Sequence, residues 1–286
     1  MDNAGTAVVA AAYGRRMLLE LPDGRLVQGF PQQRGIRTVC GDRVDIATTG
    51  GGIVVTRIHP RRGVLWRHDE RRGRRPVAAN LDTMAIVAAP EPPVAPEQID
   101  RYLAIAELLE LRPLLVANKC DIGPVATDEF LALGYEVHAV SAHTGAGLER
   151  LAGALRGRQA ILSGLSGVGK SALVTALIPD YEARSSALSA ASGEGRHTTT
   201  AARLYPLPHG GHLIDSPGVR DIRLWPMPPS ELARGFREFR PWLGRCRFRD
   251  CRHDREPDCA LRAAVARGDV SDRRYRSFLA LAGRLA

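Results

Sequence analysis

Residues Gly164-Leu165-Ser166-Gly167-Val168-Gly169-Lys170-Ser171 fit the pattern G-x-x-x-x-G-K-[ST]. An apolar run at 159–163 precedes them and the helical pattern "SALVTALI" follows, so the context is strand, turn, helix. Glycines at these places let backbone N–H groups curl around a phosphate at a helix N-terminus. Lys170 would set its charge between β- and γ-phosphates, Ser171 would ligate Mg²⁺, and Ala172 completes the nucleotide-contacting run.

Three further motifs stand at predicted strand ends. Asp215-Ser216-Pro217-Gly218 follows "HLI"; its carboxylate can hold Mg²⁺ through water, and the Gly218 N–H can meet a γ-phosphate. Asn118-Lys119-Cys120-Asp121 follows "PLLVA". The Asp121 carboxylate can accept from guanine N1–H and N2–H₂, a pairing adenine cannot offer. The Lys119 stem can lie along the base, and Asn118 can tie this loop to the phosphate loop. Ser141-Ala142 follows "EVHAV", where a backbone N–H could meet guanine O6. Lys119 and Lys170 are the only lysines among 40 basic residues, and both sit inside these motifs. A compact ammonium is required there, where a planar guanidinium would not serve. Together the motifs predict a site that takes GTP in preference to ATP.

The order of the motifs is unusual. The base-reading tetrad comes before the phosphate loop, so the nucleotide domain is circularly permuted. The permutation is cheap, because the termini of compact domains lie close together. It also leads the segment after Asp215 straight into the C-terminal part of the chain.

The elements that must position these residues fall into three parts: 1–76, 77–225 and 226–286. Residues 6–60 alternate in short apolar runs separated by turn signals, which predicts a small β-barrel, an oligonucleotide-binding (OB) fold before an SH3-like one. Residues 61–76 are a basic run expected as a linker or exposed arm, with Trp66 able to stack on a base or pack on the barrel. Residues 77–225 alternate strand and helix patterns, as in a doubly wound α/β domain. The last part is expected to be helical, over "SELARGFREF" and "RRYRSFLALAGRL", around a Cys/His cluster.

That cluster, Cys246-x4-Cys251-x-His253-x5-Cys259, offers three thiolates and one imidazole, a donor set for a closed, structural tetrahedral Zn²⁺. Cys40 and Cys120 stand alone and are expected as small buried hydrophobes. The net charge of +9 is uneven: 14 Arg against 7 acids in 1–76 (+7), 12 basic residues against 16 acids in 77–225 (−4), and 14 Arg against 8 acids in 226–286 (+6). Two basic ends favour a polyanionic partner. Arg247, Arg249, Arg252 and Arg255 surround the cluster and are expected to face phosphates. No run approaches the roughly 18 apolar residues of a membrane span, and no signal peptide is read, so a cytoplasmic protein without a membrane partner is expected.

The barrel-first, permuted, cysteine-last order, with "CGDRVDI" at 40–46 and "GRHTTT" at 195–200, resembles the ribosome small-subunit-dependent GTPase family (RsgA/YjeQ) over nearly the whole chain. The resemblance implies a GTPase that binds the small ribosomal subunit and its rRNA late in assembly, with hydrolysis stimulated by the ribosome. It implies Zn²⁺ on the cysteine cluster and Mg²⁺ with GTP or GDP. A Ras-like site orients its water with Gln just after D-x-x-G; here that position is Val219, which cannot. His197 in the first switch is the candidate in its place, or else an RNA contact. Thr199, between Thr198 and Thr200, is the favoured switch ligand to Mg²⁺. A monomer is expected. A GTP-gated RNA-binding protein, a permuted GTPase with another ribosomal target, and a P-loop ATPase or kinase stay open as alternatives.

Overall fold

The computed structural model describes residues 4–69, 73–182, 202–216, 222 and 224–285. Its N-terminal part is a five-stranded barrel of β1 (Gly5–Tyr13), β2 (Arg16–Glu20), β3 (Leu26–Pro31), β4 (Arg43–Thr49) and β5 (Gly52–Ile58). The pairings close on themselves in the order β1-β2-β3-β5-β4-β1, with β3 and β5 parallel. Period-two alternation sends Ala7 and Val9, Met17 and Leu19, and Val44 and Ile46 inward. A bulge between Val9 and Ala11 then shifts the register of β1. It turns Ala10 and Ala11 into the core of the next domain, where Ala11 pairs with Arg203.

The "CGD" signature explains the joint. Gly41 has φ +85°, and a Cβ on it would lie 2.3 Å from the Ala79 carbonyl oxygen and 2.3 Å from Gln159 Nε2. Asp42, fully buried, accepts from the Val39 N–H at 2.8 Å and from Arg61 at 2.7 Å. Cys40 is buried as expected, and burial pushes its thiol far above its ordinary pKa. The basic run read as a linker or arm is instead an ordered hairpin, β6 (Leu65–Asp69) with β7 (Gly73–Ala78). The β-branched and aromatic residues in it were too few to outweigh its arginines as a strand signal. Trp66 is exposed rather than packed on the barrel, and the Arg74 guanidinium lies 5.1 Å from its ring and 5.0 Å from that of Trp225.

The central domain carries parallel strands β8 (Thr83–Ala88), β9 (Arg112–Ala117), β10 (Glu136–Ala139), β11 (Gln159–Ser163) and β13 (His212–Asp215), with β12 (Arg203–Pro206) antiparallel at the end. Sheet order is β10-β9-β8-β11-β13-β12, and β12 continues into the barrel through β1. Every residue of β8 is buried, as a strand covered on both faces requires. Helices α1 (Pro96–Leu108), α2 (Asp128–Ala132), α3 (Leu148–Leu155) and α4 (Lys170–Leu177) supply the cover.

The C-terminal part holds a short helix, α5 (Pro229–Leu232), two 3₁₀ turns (Ala233–Gly235 and Arg237–Trp242), and helices α6 (Ala260–Arg267) and α7 (Asp272–Gly283). The continuous helix expected over 230–239 is broken. Gly235 presses on α1 so closely that a Cβ would lie 2.9 Å from the Ala104 carbonyl oxygen. Phe236 then turns extended and stacks with Phe239 at 4.8 Å, both meeting Phe278 of α7 edge-on.

Candidate nucleotide site and candidate metal centre

The phosphate loop leaves β11 at Ser163 and enters α4 at Lys170. Gly164 sits at φ +143° and Gly169 at φ +93°, shapes that suit glycine. A Cβ on Gly164 would lie 2.3 Å from the Val87 carbonyl oxygen, and one on Gly169 would lie 2.3 Å from Asn118 Nδ2. The loop therefore runs in contact with the ends of β8 and β9. Val168 is buried and anchors it, while Leu165 is half-buried and Ser166, Gly167, Ser171 and Ala172 are exposed. The Lys170 ammonium donates to the carbonyls of Gly164, at 2.8 Å, and Leu165.

Strand register brings the other motifs to the same edge. Ser163 pairs with Ile86, Ala88 with Ala117, and Ala117 with Ala139, while Ile161 pairs with Ile214. The loops that follow β8, β9, β10, β11 and β13 thus leave the sheet side by side at its carboxyl edge, where open α/β sheets bind ligands. Asn118 fastens three of them. It is 1% exposed; its Nδ2 donates to the Val168 carbonyl at 2.9 Å, and its Oδ1 accepts from the Ala142 N–H at 3.2 Å. Lys119 is left-handed (φ +61°) and its ammonium reaches the Glu91 carbonyl. Its Cε lies 3.8 Å from where a Cβ on Gly169 would stand, so its stem borders the phosphate loop.

Asp121 is exposed, and a hydrogen bond from the Ser141 hydroxyl holds its carboxyl below the ordinary value. Ser141 Oγ in turn accepts from the Thr144 N–H at 3.1 Å. The N–H groups of Ser141 and Ala142, read from sequence as candidates for guanine O6, both donate inside the fold, to the Ala146 carbonyl and to Asn118. It is the Ser141 side chain that acts on the Asp121 carboxylate. Cys120, expected to be buried, is exposed: its N–H bonds the Val140 carbonyl at 3.0 Å, and its side chain is left at the rim of the sheet.

Asp215 Oδ2 accepts from the Tyr181 hydroxyl at 2.8 Å. Burial, reinforced by the Asp215 charge, pushes this phenol well above its ordinary pKa, so it is a lasting donor. Tyr181 was not legible in sequence, since no spacing rule joins it to a residue 34 positions later. The Ser171 hydroxyl and the Asp215 carboxylate are hard oxygen donors of the kind Mg²⁺ takes. His197, Thr198, Thr199, Thr200, Gly218 and Val219 lie outside the described residues.

The second cluster is compact. One ligand atom from each of Cys246, Cys251, His253 and Cys259 lies within 4.8 Å of all the others. Cys246 Sγ is 3.8 Å from Cys259 Sγ, and His253 Nδ1 is 3.5 Å from Cys246 Sγ and 3.4 Å from Cys259 Sγ. A tetrahedron with Zn–S near 2.3 Å and Zn–N near 2.05 Å has edges of about 3.8 and about 3.5 Å, so Cys246, His253 and Cys259 are spaced like three corners of a Zn²⁺ site, with Cys251 Sγ within 4.8 Å of each. Burial pushes the Cys251 thiol up to about 12 and lowers the His253 imidazole, which disfavours charge on these groups unless a cation shares the site. Left-handed His253 (φ +64°) aims its ring inward, and its carbonyl accepts from the Tyr275 hydroxyl at 2.6 Å. All four surrounding arginines are exposed; Arg247 pairs with Asp258 and Arg255 with Asp254.

Comparison with known proteins agrees with this arrangement. The family model described as RsgA GTPase matches residues 58–225. A protein of Dickeya dadantii named small ribosomal subunit biogenesis GTPase RsgA is 43% identical, over 95% of this chain and 82% of that one. One of the same name from Chromohalobacter salexigens is 48% identical over 84% of this chain and 73% of its own. Among solved structures, YjeQ from Thermotoga maritima superposes with a TM-score of 0.79 at 26% identity, covering 99% of this chain and 98% of the other. YloQ, described as a circularly permuted GTPase, superposes with a TM-score of 0.77 at 20% identity, covering 99% and 95%, and supports the fold. With that match across more than half its length, and relatives such as the Dickeya protein matched over 95% of it, the chain belongs to the RsgA GTPase family.

Proposed function

We propose that this protein binds the small ribosomal subunit and hydrolyses GTP during its late assembly, with the subunit stimulating turnover. The observation that carries the reading is Asn118. One buried amide joins the Asn118–Asp121, phosphate and Ser141-Ala142 loops, which supports Asp121 and Lys170 serving one nucleotide. The target is taken from the relatives' printed names.

In this reading the 77–225 domain holds the nucleotide. Asp121 reads guanine, Lys119 lines the base, and the N–H groups of residues 164–172 with Lys170 hold the phosphates. Ser171 and Thr199 hold Mg²⁺ directly and Asp215 does so through water; when bound, the ion offsets charge on the phosphates. Gly218 meets the γ-phosphate. His197 orients the attacking water, because the position after D-x-x-G carries Val219. Cys246, Cys251, His253 and Cys259 hold one structural Zn²⁺, and the basic 1–76 and 226–286 parts meet rRNA phosphates. The protein works as a cytoplasmic monomer. Among the described residues no helix is long and apolar enough to cross a membrane.

The test is GTP turnover with purified small or large subunits. Small subunits should raise it severalfold and large subunits should not. Equal stimulation by both, or by neither, would overturn the assignment of target. With small subunits present, His197→Ala should lower turnover by at least about tenfold; a wild-type rate would remove His197 from the reaction.

A further inference from the structure

Asp215 closes β13 one strand away from the phosphate loop, and the β11–β13 register sets it level with Leu162. One of its two carboxylate oxygens, Oδ2, is taken by the Tyr181 hydroxyl at 2.8 Å. Tyr181 reaches it from the far end of α4. The helix stops at Leu177, and Pro179 with left-handed Asp180 (φ +56°) turns the chain back. The Tyr181 ring then settles on Tyr205 of β12, with centroids 5.0 Å apart at 54°. Tyr205 is itself 1% exposed and pairs across to Leu213, two residues before Asp215. The phenol is thus fixed by a ring contact to a buried neighbour, and its hydroxyl is delivered to a carboxylate from the side away from the phosphate loop's own strand.

A carboxylate held by one oxygen has a fixed plane and one oxygen left to offer. Mg²⁺ keeps a strict octahedral shell and gives up its waters reluctantly, so an acceptor for one of those waters must be correctly aimed. We propose that Tyr181 is a positioning residue for Mg²⁺: its hydroxyl orients Asp215 so that the other oxygen accepts from a water of the metal bound with the nucleotide. This rests on the guanine-nucleotide reading given above. A residue that only filled space against Tyr205 would need the ring and not the hydroxyl.

The experiment uses the full chain and Tyr181→Phe, which keeps the ring and removes the hydroxyl. Dissociation of a fluorescent GDP analogue is followed across free Mg²⁺ concentrations and in EDTA. In the variant, the Mg²⁺ concentration that half-slows release should rise about tenfold, the effect of losing one hydrogen bond to a charged group. Release in EDTA should match wild type. In an Asp215→Asn background, Tyr181→Phe should add nothing to the Mg²⁺ dependence. Superimposed Mg²⁺ curves, or an equal change with and without Mg²⁺, would overturn the proposal. A wild-type chain that binds no GDP would instead sink the nucleotide reading, and this inference with it.

Discussion

At the scale of single residues, the side chains proposed to read the ligand are themselves held by neighbours. Ser141 is the plainest case, since its side chain beside Asp121 holds that carboxyl below its ordinary value. A lowered value means the ionised form persists as pH falls through the ordinary carboxylate range and is lost only below it. Guanine preference should therefore hold from about pH 7 to about pH 4.5 in wild type. In Ser141→Ala it should fade first, from the acid side; identical pH profiles of GDP against ADP binding would show that the bond does not matter. Asp121, Lys170 and the phosphate loop were legible because their spacing is short and local. Ser141's hydroxyl and Tyr181 were not, because their roles come from strand register that no local pattern encodes.

At the scale of elements, the same contrast separates what periodicity reveals from what packing decides. All five barrel strands and the six central strands follow from apolar alternation or apolar runs. The 230–239 segment has helical spacing, yet Gly235 against Ala104 and the Phe236–Phe239 stack break it into turns. The loop 246–259 has few apolar residues, so in the proposed reading its Cys/His set holds it through a metal. Protein purified without chelator should carry one Zn²⁺ per chain. A strong chelator, or Cys259→Ser, should lower the thermal midpoint and expose the 246–259 amides to hydrogen exchange. Metal analysis finding no zinc, or unchanged exchange after its removal, would contradict the assignment.

At the scale of the molecule, the C-terminal part is fastened to the central domain by buried charge. Arg274, fully buried, pairs with fully buried Asp100 at 2.6 Å and with Glu238 at 2.7 Å. Arg273 bridges Asp100 and Glu129, and Glu107 on α1 takes both Arg237 and Arg240. Truncating Arg274 would leave Glu238 unpaired in the seam and Asp100 with Arg273 alone, so Arg274→Ala should cost about 3–5 kcal/mol in denaturant unfolding. A cost under about 1 kcal/mol would mean that water already reaches the seam. The permuted order puts this clamped part directly after the segment that follows Asp215.

The account as a whole stands on Asp121 and Lys170 serving one guanine nucleotide although the chain reaches them in reverse of the usual order. Asp121→Asn tests this most directly. The amide replaces an acceptor by a donor, which suits the 2-oxo group of xanthine and not the 2-amino group of guanine. GTP affinity should fall by at least about a hundredfold and XTP should become the better ligand. Unchanged GTP binding, with no gain for XTP, would contradict the account.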